Sequence, residues 1–323
     1  MGLSAARLIV NMRFMKLHYS EFSQQLYPNG WRDYHLIDSG NGQKLEQFGP
    51  YQFVRPEAQA LWSPRLPQSD WDNADGHFLT SGQDSDKGGS WQLVESLPES
   101  WQMQFEDIHF FAMPTAFRHL GFFPEQSVHW QWCAAKIKEF IKIHQRPPRL
   151  LNLFAYSGIA SLHAAKAGAE VTHIDASKKA IQLAFDNRSL SKLENAPIRF
   201  ITEDALQFVQ RELRRNKTYD GIILDPPKYG RGPKNEIWQL HQDLPSLLKS
   251  CRHLLSDTPL FLVATIYAVR MSVISVHSAM ADNLAGLGGQ LASGEIAIIE
   301  NQQISEKPPR AIGQAIYARW SGF

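Results

Sequence analysis

The stretch YDGIILDPPKYGRG, residues 219–232, decides the fold of this chain. Its short apolar run has the length of a buried strand and ends at Asp225, where Pro226 and Pro227 fix the backbone of a stiff turn. Open α/β sheets bind their ligands outside the carboxyl ends of their strands. An acidic side chain held at such an end therefore predicts a reactive site at Asp225.

Short apolar runs alternate with amphipathic helical stretches on both sides of this turn, from about residue 127 onward. The alternation is typical of a Rossmann-like, doubly wound α/β fold with a mostly parallel sheet. Two last strands with no helix between them predict a C-terminal antiparallel hairpin at the sheet edge. The seven predicted strands are LLNLFA, VTHID, IRFIT, YDGIILD, PLFLVAT, GEIAIIEN and AIGQAIYARW.

The N-terminal third has a different sequence pattern, in which short segments of alternating polar and apolar residues are joined by turns. A Gly-Asn-Gly turn stands at residues 40–42, and a polar loop rich in Gly and Asp spans residues 81–89, as expected between strands. We therefore predict a small β-rich domain at residues 31–115, ahead of the α/β domain at residues 116–323.

Residues 1–30 are expected to form a poorly ordered leader. The segment holds Arg7, Arg13 and Lys16 and has no acidic side chain before Glu21. This composition is typical of organellar transit peptides. It fits equally well a start codon placed upstream of the true one, so both interpretations stay open.

Composition narrows the class of protein. With 33 Lys and Arg against 32 Asp and Glu, the net charge is +1, so the chain as a whole does not attract polyanions. Cys133 and Cys251 lie far apart and outside any metal-binding motif, which argues against a disulfide framework and predicts no metal site. No apolar run reaches the ~18 residues of a membrane span. We expect a cytoplasmic protein without a membrane partner; an organellar one is the alternative if the leader is a transit peptide.

Three further strand ends carry residues suited to a nucleoside. Tyr156, Ser157 and Gly158 form a tight turn before a small-residue helix, and glycine there would let the backbone approach a ligand. Asp175 follows the next strand, at about the 20-residue spacing at which an acidic side chain binds ribose hydroxyls. Asp204 follows the third strand and could hold an adenine amine. Asp175 could instead cap its helix, and Asp204 could cap its helix instead of or in addition to binding adenine.

The ordered set NLFAYSG, HIDAS, EDA and LDPPKYG resembles class I S-adenosylmethionine-dependent methyltransferases. It is most similar to the bacterial branch that includes the 23S ribosomal RNA cytosine methyltransferases. The resemblance covers residues 115–323 and implies S-adenosyl-L-methionine as the cofactor. In that branch, a segment similar to GFFPEQSVHW (121–130) folds over the methionine end of the cofactor.

The resemblance also assigns roles residue by residue. At the cofactor it places Phe123, Pro124, Gln126, Phe154, Tyr156, Ser157, Gly158, Asp175, Ala176, Asp204, Ala205 and Asp225. In the active-site loop it places Asp225, Pro226, Pro227, Lys228 and Tyr229.

The chain departs from the cytosine 5-carbon methyltransferases after the fifth strand. Those relatives carry a cysteine there, whereas this chain has Thr265-Ile266-Tyr267. Because a cysteine thiolate is the nucleophile of that reaction, we expect transfer without a covalent cysteine intermediate. Asp225 and a neighbouring backbone carbonyl are expected to orient a nucleophilic nitrogen beside the methyl donor.

Basic and aromatic residues in the active-site loop favour RNA as the substrate. Lys228, Arg231 and Lys234 are interleaved with Tyr229 and Trp238, which suits contacts to phosphates and bases, although a solvated loop explains the pattern equally well. We expect a base of ribosomal or other structured RNA.

Three alternatives remain. The first is a methyltransferase of a protein side chain or small molecule, and the second is a non-catalytic RNA-binding or assembly factor that retains the cofactor pocket. A Rossmann dehydrogenase is the weakest, because its glycine fingerprint is absent.

Overall fold

A computed structural model of the chain describes residues 24–80, 88–267, 271–301 and 307–323. Most of the predicted leader, residues 1–23, and most of the predicted polar loop, residues 81–87, lie outside the described residues. In the described part, no helix is both long and apolar enough to cross a membrane.

The first third of the described chain is rich in β-structure, as predicted. Five of its strands form one sheet in the order β2-β3-β4-β5-β6, and β7 pairs with β8 as a hairpin. The elements are β1 (Gln24–Leu26), β2 (Tyr34–Gly40), β3 (Gln43–Phe48), β4 (Tyr51–Pro56), α1 (Gln68–Asp72), β5 (Gly76–Thr80), β6 (Gly89–Leu93), β7 (Trp101–Phe105) and β8 (Ile108–Ala112).

The remainder alternates strands and helices after a 3₁₀ turn at Pro124–Gln126. Its helices are α2 (Ser127–His144), α3 (Ile159–Lys166), α4 (Lys178–Leu190), α5 (Ala205–Arg214), α6 (Leu240–Leu254) and α7 (Val273–Leu284). Its strands are β9 (Arg149–Leu153), β10 (Glu170–Asp175), β11 (Ile198–Thr202), β12 (Gly221–Leu224), β13 (Tyr229–Arg231), β14 (Ile237–Gln239), β15 (Phe261–Tyr267), β16 (Gln290–Ile299) and β17 (Ala311–Ser321).

The large sheet confirms the predicted doubly wound α/β fold. Its order is β11-β10-β9-β12-β15-β17-β16-β1. Within the described chain, the pairings are parallel except those of β17, which runs antiparallel to both of its neighbours. All seven predicted strands are present. An eighth, β1, pairs with β16 and comes from the segment predicted to be a leader.

The predicted C-terminal antiparallel hairpin is present, formed by β16 and β17. Strand β17 is its inner strand, between β15 and β16, and the three-residue strand β1 extends the sheet beyond β16. The inner position of β17 agrees with its burial, because the consecutive residues Tyr317 and Ala318 are both fully buried although they point to opposite faces. A strand that is apolar on both faces belongs inside a sheet covered on both sides.

The β-rich part and the α/β part share one hydrophobic core. A single cluster joins Phe48 and Phe110 of the β-rich part to Ile137 of α2 and Leu162 of α3. The hydrophobic core is therefore continuous across the domain boundary predicted at residue 115.

A buried ionic network ties the two parts together a second time. Arg310 donates to the Asp38 carboxylate at 2.7 Å and to the Glu300 carboxylate at 2.8 Å, and both acids are almost fully buried. Burial favours the neutral form of Glu300, but hydrogen bonds from Arg310 and Ser39 outweigh it and hold its pKa below the usual value. Arg310 thus links β2 to the end of the large sheet.

We expect Arg310→Leu to lower the free energy of unfolding by about 3–5 kcal/mol, because buried Asp38 loses its ion pair at 2.7 Å and buried Glu300 keeps only the longer one with Arg65, at 3.4 Å. Urea unfolding followed by circular dichroism measures the change. The control is Arg214→Leu, at an exposed position of α5, for which a change within about 0.5 kcal/mol is expected. Equal losses in the two variants would contradict the linking role of Arg310.

Candidate functional site

In-register parallel pairing aligns the carboxyl ends of the central strands. Leu153 of β9 pairs with Ile174 on one side and with Leu224 on the other, and Leu224 pairs with Ala264 of β15. The four neighbouring strands β10, β9, β12 and β15 therefore end at the same edge of the sheet. The residues that follow these strands leave the sheet on the same side, where the sequence predicts a cofactor site.

The turn after β9 is held by the end of β10. The carboxylate of Asp175 accepts the backbone N–H of Tyr156 at 2.9 Å and that of Ser177 at 2.8 Å. Phe154 and Tyr156 have positive φ angles of 57° and 46°, a conformation uncommon for large side chains and found where a loop is held for function. Burial raises the pKa of Asp175, and its hydrogen bonds with the two backbone amides oppose that rise. Asp175 thus shapes the predicted cofactor turn.

The structure gives two reasons for glycine at position 158. Its φ is +83°, and a Cβ added there would lie 2.8 Å from the Cβ of Ala184 on α4. Within the protein, the close neighbour of this glycine is therefore the packed helix α4.

Sequence reasoning missed Asn187, a fully buried side chain of α4. It donates to the carbonyl of Ser157 at 2.9 Å and accepts the backbone N–H of Phe111 in β8 at 2.9 Å. The β7–β8 hairpin therefore supports the turn through one side chain. A lone asparagine among the apolar positions of a helix was the signal available.

Asp204 caps α5, which is the alternative that the sequence left open. Its side chain accepts the backbone N–H of Gln207 at 3.0 Å. Burial is the main cause of its raised pKa. The neighbouring Glu203 is paired with Arg211 at 2.6 Å, whereas Asp204 and Ala205 are buried at the strand end.

Asp225 lies directly after β12, where the sequence predicted it. Gln126 donates to its carboxylate at 3.0 Å, across 99 positions of the chain. Burial, and then the negative charge of Glu125, raise the pKa of Asp225 to about 8, against a small opposing effect of the Gln126 hydrogen bond. A carboxyl group with this pKa can exchange a proton near neutral pH.

The segment before α2 folds over this edge. The ring of Phe123 lies 6.0 Å from that of Tyr156 and 5.1 Å from that of Tyr267, measured between centroids. The carbonyl of Pro124 accepts a hydrogen bond from the indole of Trp31 at 3.1 Å, which anchors the turn in the β-rich part. The structure thus brings Phe123, Pro124 and Gln126 to the same cleft as Asp225.

The active-site loop continues into a short hairpin that the sequence did not predict. Strands β13 and β14 pair antiparallel, and the indole of Trp238 donates to the Pro227 carbonyl at 2.6 Å. Trp238 is buried, so it is not the exposed aromatic that the sequence suggested. Tyr229 is 51% exposed and Lys228 is exposed beside it.

Two residues at the cleft, Glu125 and Tyr267, were not predicted as site residues. Glu125 is 4% exposed, and burial raises its pKa. Tyr267 ends β15, and its buried hydroxyl lies beside Glu125 and Gln126. Glu125 lies between Pro124 and Gln126, which the sequence analysis had singled out. Tyr267 was noted only because it belongs to the segment in which the cytosine methyltransferases carry a cysteine.

The two cysteines do not approach this cleft as reactive thiols. Cys133 and Cys251 are free and buried, in α2 and α6. Burial raises the pKa of Cys133 to about 12 and raises that of Cys251 as well. In the described ranges, no group of three or more His, Cys, Asp or Glu side chains could hold a metal ion.

Comparison with known proteins identifies similar chains. The family model named Conserved hypothetical protein 95 matches residues 131–250. The crystal structure of the SAM-dependent methyltransferase from Agrobacterium tumefaciens is 49% identical, with a TM-score of 0.86. That match covers 93% of this chain and 94% of the other.

Curated relatives match a shorter segment. The ribosomal RNA large subunit methyltransferase K/L of Shewanella baltica is 38% identical over 112 residues, which are 34% of this chain and 15% of that protein. The ribosomal RNA large subunit methyltransferase I of Shewanella denitrificans is 37% identical over 81 residues, 25% of this chain and 20% of that protein. The match thus spans less than a quarter of the length of either relative.

We expect Gly158→Ala to destabilise the chain, because the left-handed conformation alone costs about 1–2 kcal/mol for a residue with a Cβ. The collision with Ala184 adds to this loss. Ala184→Gly removes the collision but places a glycine inside α4, which by itself costs about 1 kcal/mol. The double variant Gly158→Ala, Ala184→Gly should therefore lose less stability in thermal unfolding than the sum of the two single variants. Simple additivity of the two losses would contradict helix packing as a reason for this glycine.

Proposed function

Because this chain belongs to the S-adenosylmethionine-dependent methyltransferases, we propose that it transfers a methyl group to a nitrogen of an RNA base, with ribosomal RNA as the favoured substrate. Its cofactor is S-adenosyl-L-methionine. The observation that carries the proposal is the position of the Asp225 carboxylate, rigidly placed after β12 and hydrogen-bonded to Gln126 in the cofactor cleft.

The described residues fit this cofactor. Asp175 uses its two oxygens for one backbone N–H each, and a carboxylate has about four lone-pair sites, so acceptor capacity remains for ribose hydroxyls. Asp204 offers a second buried carboxylate on the adenine side, with Ala176 and Ala205 as small neighbours. The rings of Phe123 and Tyr156 suit a sulfonium, since aromatic faces attract cations. When bound, the cofactor supplies a methyl group activated by the positive charge on sulfur.

The role proposed for Asp225 is to hold and orient the nucleophile. Methyl transfer is an in-line displacement that depends on proximity and orientation more than on acid catalysis. Pro226 and Pro227 stiffen the loop, and Trp238 fixes the Pro227 carbonyl at 2.6 Å. Lys228 and Tyr229 follow at the mouth of the same loop, where a substrate would enter.

RNA is favoured by the names of similar proteins and by the hairpin beyond Asp225. Two similar curated proteins are named ribosomal RNA large subunit methyltransferases. On the hairpin, Tyr229 pairs with Gln239 and Arg231 with Ile237, so these four side chains share one face. Tyr229 and Ile237 are more than half exposed, and Arg231 is exposed as well. An exposed aromatic beside a cation suits a base and its phosphate.

The alternatives from the sequence analysis define the other outcomes. Methylation of a protein or a small molecule would use the same cleft, and a non-catalytic factor would bind the cofactor without transfer. We propose that the enzyme is located in the cytoplasm; the alternative is a location in an organelle.

The first test incubates the purified chain and labelled S-adenosylmethionine with fractionated RNA and protein from a deletion strain. We expect label in RNA, and a loss of about 100-fold or more in rate for Asp225→Ala, as for other groups that stabilise a transition state. Affinity for S-adenosylhomocysteine, measured by calorimetry, should stay close to that of the wild type. The control Asp186→Ala removes an exposed carboxylate of α4 and should leave the rate unchanged. Label in the protein fraction alone would contradict the RNA substrate.

The second test concerns the hairpin. Tyr229→Ala should weaken RNA binding by about 1–3 kcal/mol through lost stacking, whereas Arg231→Ala should reduce the slope of log affinity against log salt concentration by about one. The control is Arg214→Ala on α5, which should change neither quantity. Binding that does not respond to salt in the wild type would favour the protein or small-molecule substrate.

A further inference from the structure

We propose that Phe117 is a base-stacking residue of the substrate site, and that the RNA therefore enters this site as an unpaired strand. The inference rests on the proposed function and adds the form in which the RNA is recognised. The ligand of Phe117 is a nucleobase with a free face, close to the base that receives the methyl group.

Phe117 exposes its ring to solvent. The residue is 67% exposed, which makes it the most exposed Phe, Tyr or Trp in the part of the chain that the structure describes. Tyr229, at the mouth of the active-site loop, comes next at 51%. Single exposed apolar side chains are common on protein surfaces and need no explanation. Phe117 differs from them in its position and in the anchoring of its backbone.

The position is the rim of the cofactor cleft. Two residues after Phe117, the ring of His119 lies 4.7 Å from that of Phe123, measured between centroids. Phe123 in turn lies beside Tyr156 of the cofactor turn and Tyr267 at the end of β15. Two residues of chain span at most ~7 Å, so Phe117 is held next to the segment that covers the cleft.

The loop that carries Phe117 is closed by its own hydrogen bonds. The backbone N–H of Met113 donates to the carbonyl of Leu120 at 3.1 Å and joins the two ends of the loop. The N–H of Thr115 donates to the carbonyl of His119 at 3.1 Å. The Thr115 hydroxyl lies 2.8 Å from that same carbonyl and 3.0 Å from the carbonyl of Phe117. These contacts fix the backbone on both sides of the exposed ring.

The β-rich part holds the same loop from outside. The indole N–H of Trp91 in β6 lies 2.8 Å from the carbonyl of Thr115 and 3.2 Å from that of Phe117. The guanidinium of Arg55 in β4 donates to the carbonyl of Arg118 at 3.0 Å. The ring of Phe117 is therefore presented on a backbone that two strands of another part of the protein keep in place.

A rigid exposed ring is suited to stacking on a nucleobase. Every base has a π-face, so stacking tolerates any sequence, and an anchored aromatic side chain loses little conformational entropy on binding. A base can stack on a side chain only where it is splayed out of its own helix, as in loops, bulges and single strands of RNA. An unpaired segment is therefore the form of RNA that this ring can bind.

Tyr229 provides a second exposed ring at the same cleft. It belongs to the hairpin of β13 and β14, whose Trp238 ring lies 4.9 Å from that of Phe154. Phe117 is anchored separately, in the loop that packs on Phe123. Because the two rings have separate supports, we expect them to stack on different bases of one strand.

The experiment measures the affinity of a fluorescently labelled single-stranded RNA oligomer in the presence of S-adenosylhomocysteine. Phe117→Ala should weaken binding about 5- to 150-fold, the range for loss of one stacked base. Phe117→Tyr keeps the π-face and should bind like the wild type, whereas Phe117→Leu keeps only the apolar bulk and should lose most of the affinity. Calorimetry should show an unchanged affinity for S-adenosylhomocysteine in all three variants.

Two controls separate stacking from other effects. Ile143→Ala removes an apolar side chain that is 55% exposed, about 24 Å along α2 from the 3₁₀ turn, and should not change RNA binding. The same oligomer annealed to its complement offers no free base, so Phe117→Ala should bind this duplex as the wild type does. Equal losses for strand and duplex overturn the stacking role, and so does a Phe117→Leu variant with wild-type affinity for the strand.

The double variant Phe117→Ala, Tyr229→Ala tests whether the rings act on different bases. Its loss of affinity should equal the product of the two single losses, as for independent sites. A smaller loss overturns the assignment to separate bases. A wild-type chain that binds no RNA overturns both this site and the RNA substrate, whereas RNA binding that is insensitive to Phe117→Ala overturns the site alone.

Discussion

Parallel pairing with β9 is the constraint on which the site depends. Because β10 and β12 pair with β9 in register, and β15 pairs in register with β12, these strands end in one row. Residues that are tens of positions apart in the chain then enter the cleft together. A slip of one residue in any pair would turn that strand's side chains to the opposite face. The site is therefore as rigid as the hydrogen bonds of the sheet.

The β-rich part works as a support for this edge. Asn187 connects β8 to the turn after β9, and the indole of Trp31 donates to the Pro124 carbonyl in the 3₁₀ turn before α2. The shared core and the buried Arg310 network keep these contacts in place. Binding groups need neighbours that lock their geometry, and here those neighbours come from the first third of the chain.

Local sequence patterns predicted where the helices and strands lie better than they predicted which elements contact each other. The run ending at Asp225 gave the correct strand end because apolar length and two prolines act locally. The C-terminal hairpin was predicted correctly, but the added strand β1 was not, because its pairing with β16 joins the two ends of the chain and no local pattern expresses it. Gly158 was predicted correctly as necessary, but Ala184, its close neighbour, comes from the next helix. The sequence predicted a loop where the hairpin of β13 and β14 lies. This hairpin is held by the burial of Trp238, a tertiary contact that the local pattern does not show.

The sequence by itself determined the doubly wound sheet, its strand order along the chain, and the carboxylates placed at strand ends, because hydrophobic period and turn residues act over a few positions. Tertiary structure alone decided which of these residues meet. Gln126 and Asp225 are 99 positions apart, yet Gln126 donates to the Asp225 carboxylate at 3.0 Å. This contact forms only when the 3₁₀ turn packs against the end of β12. Charge and dielectric environment are properties of that packing, so they cannot be read from the order of residues.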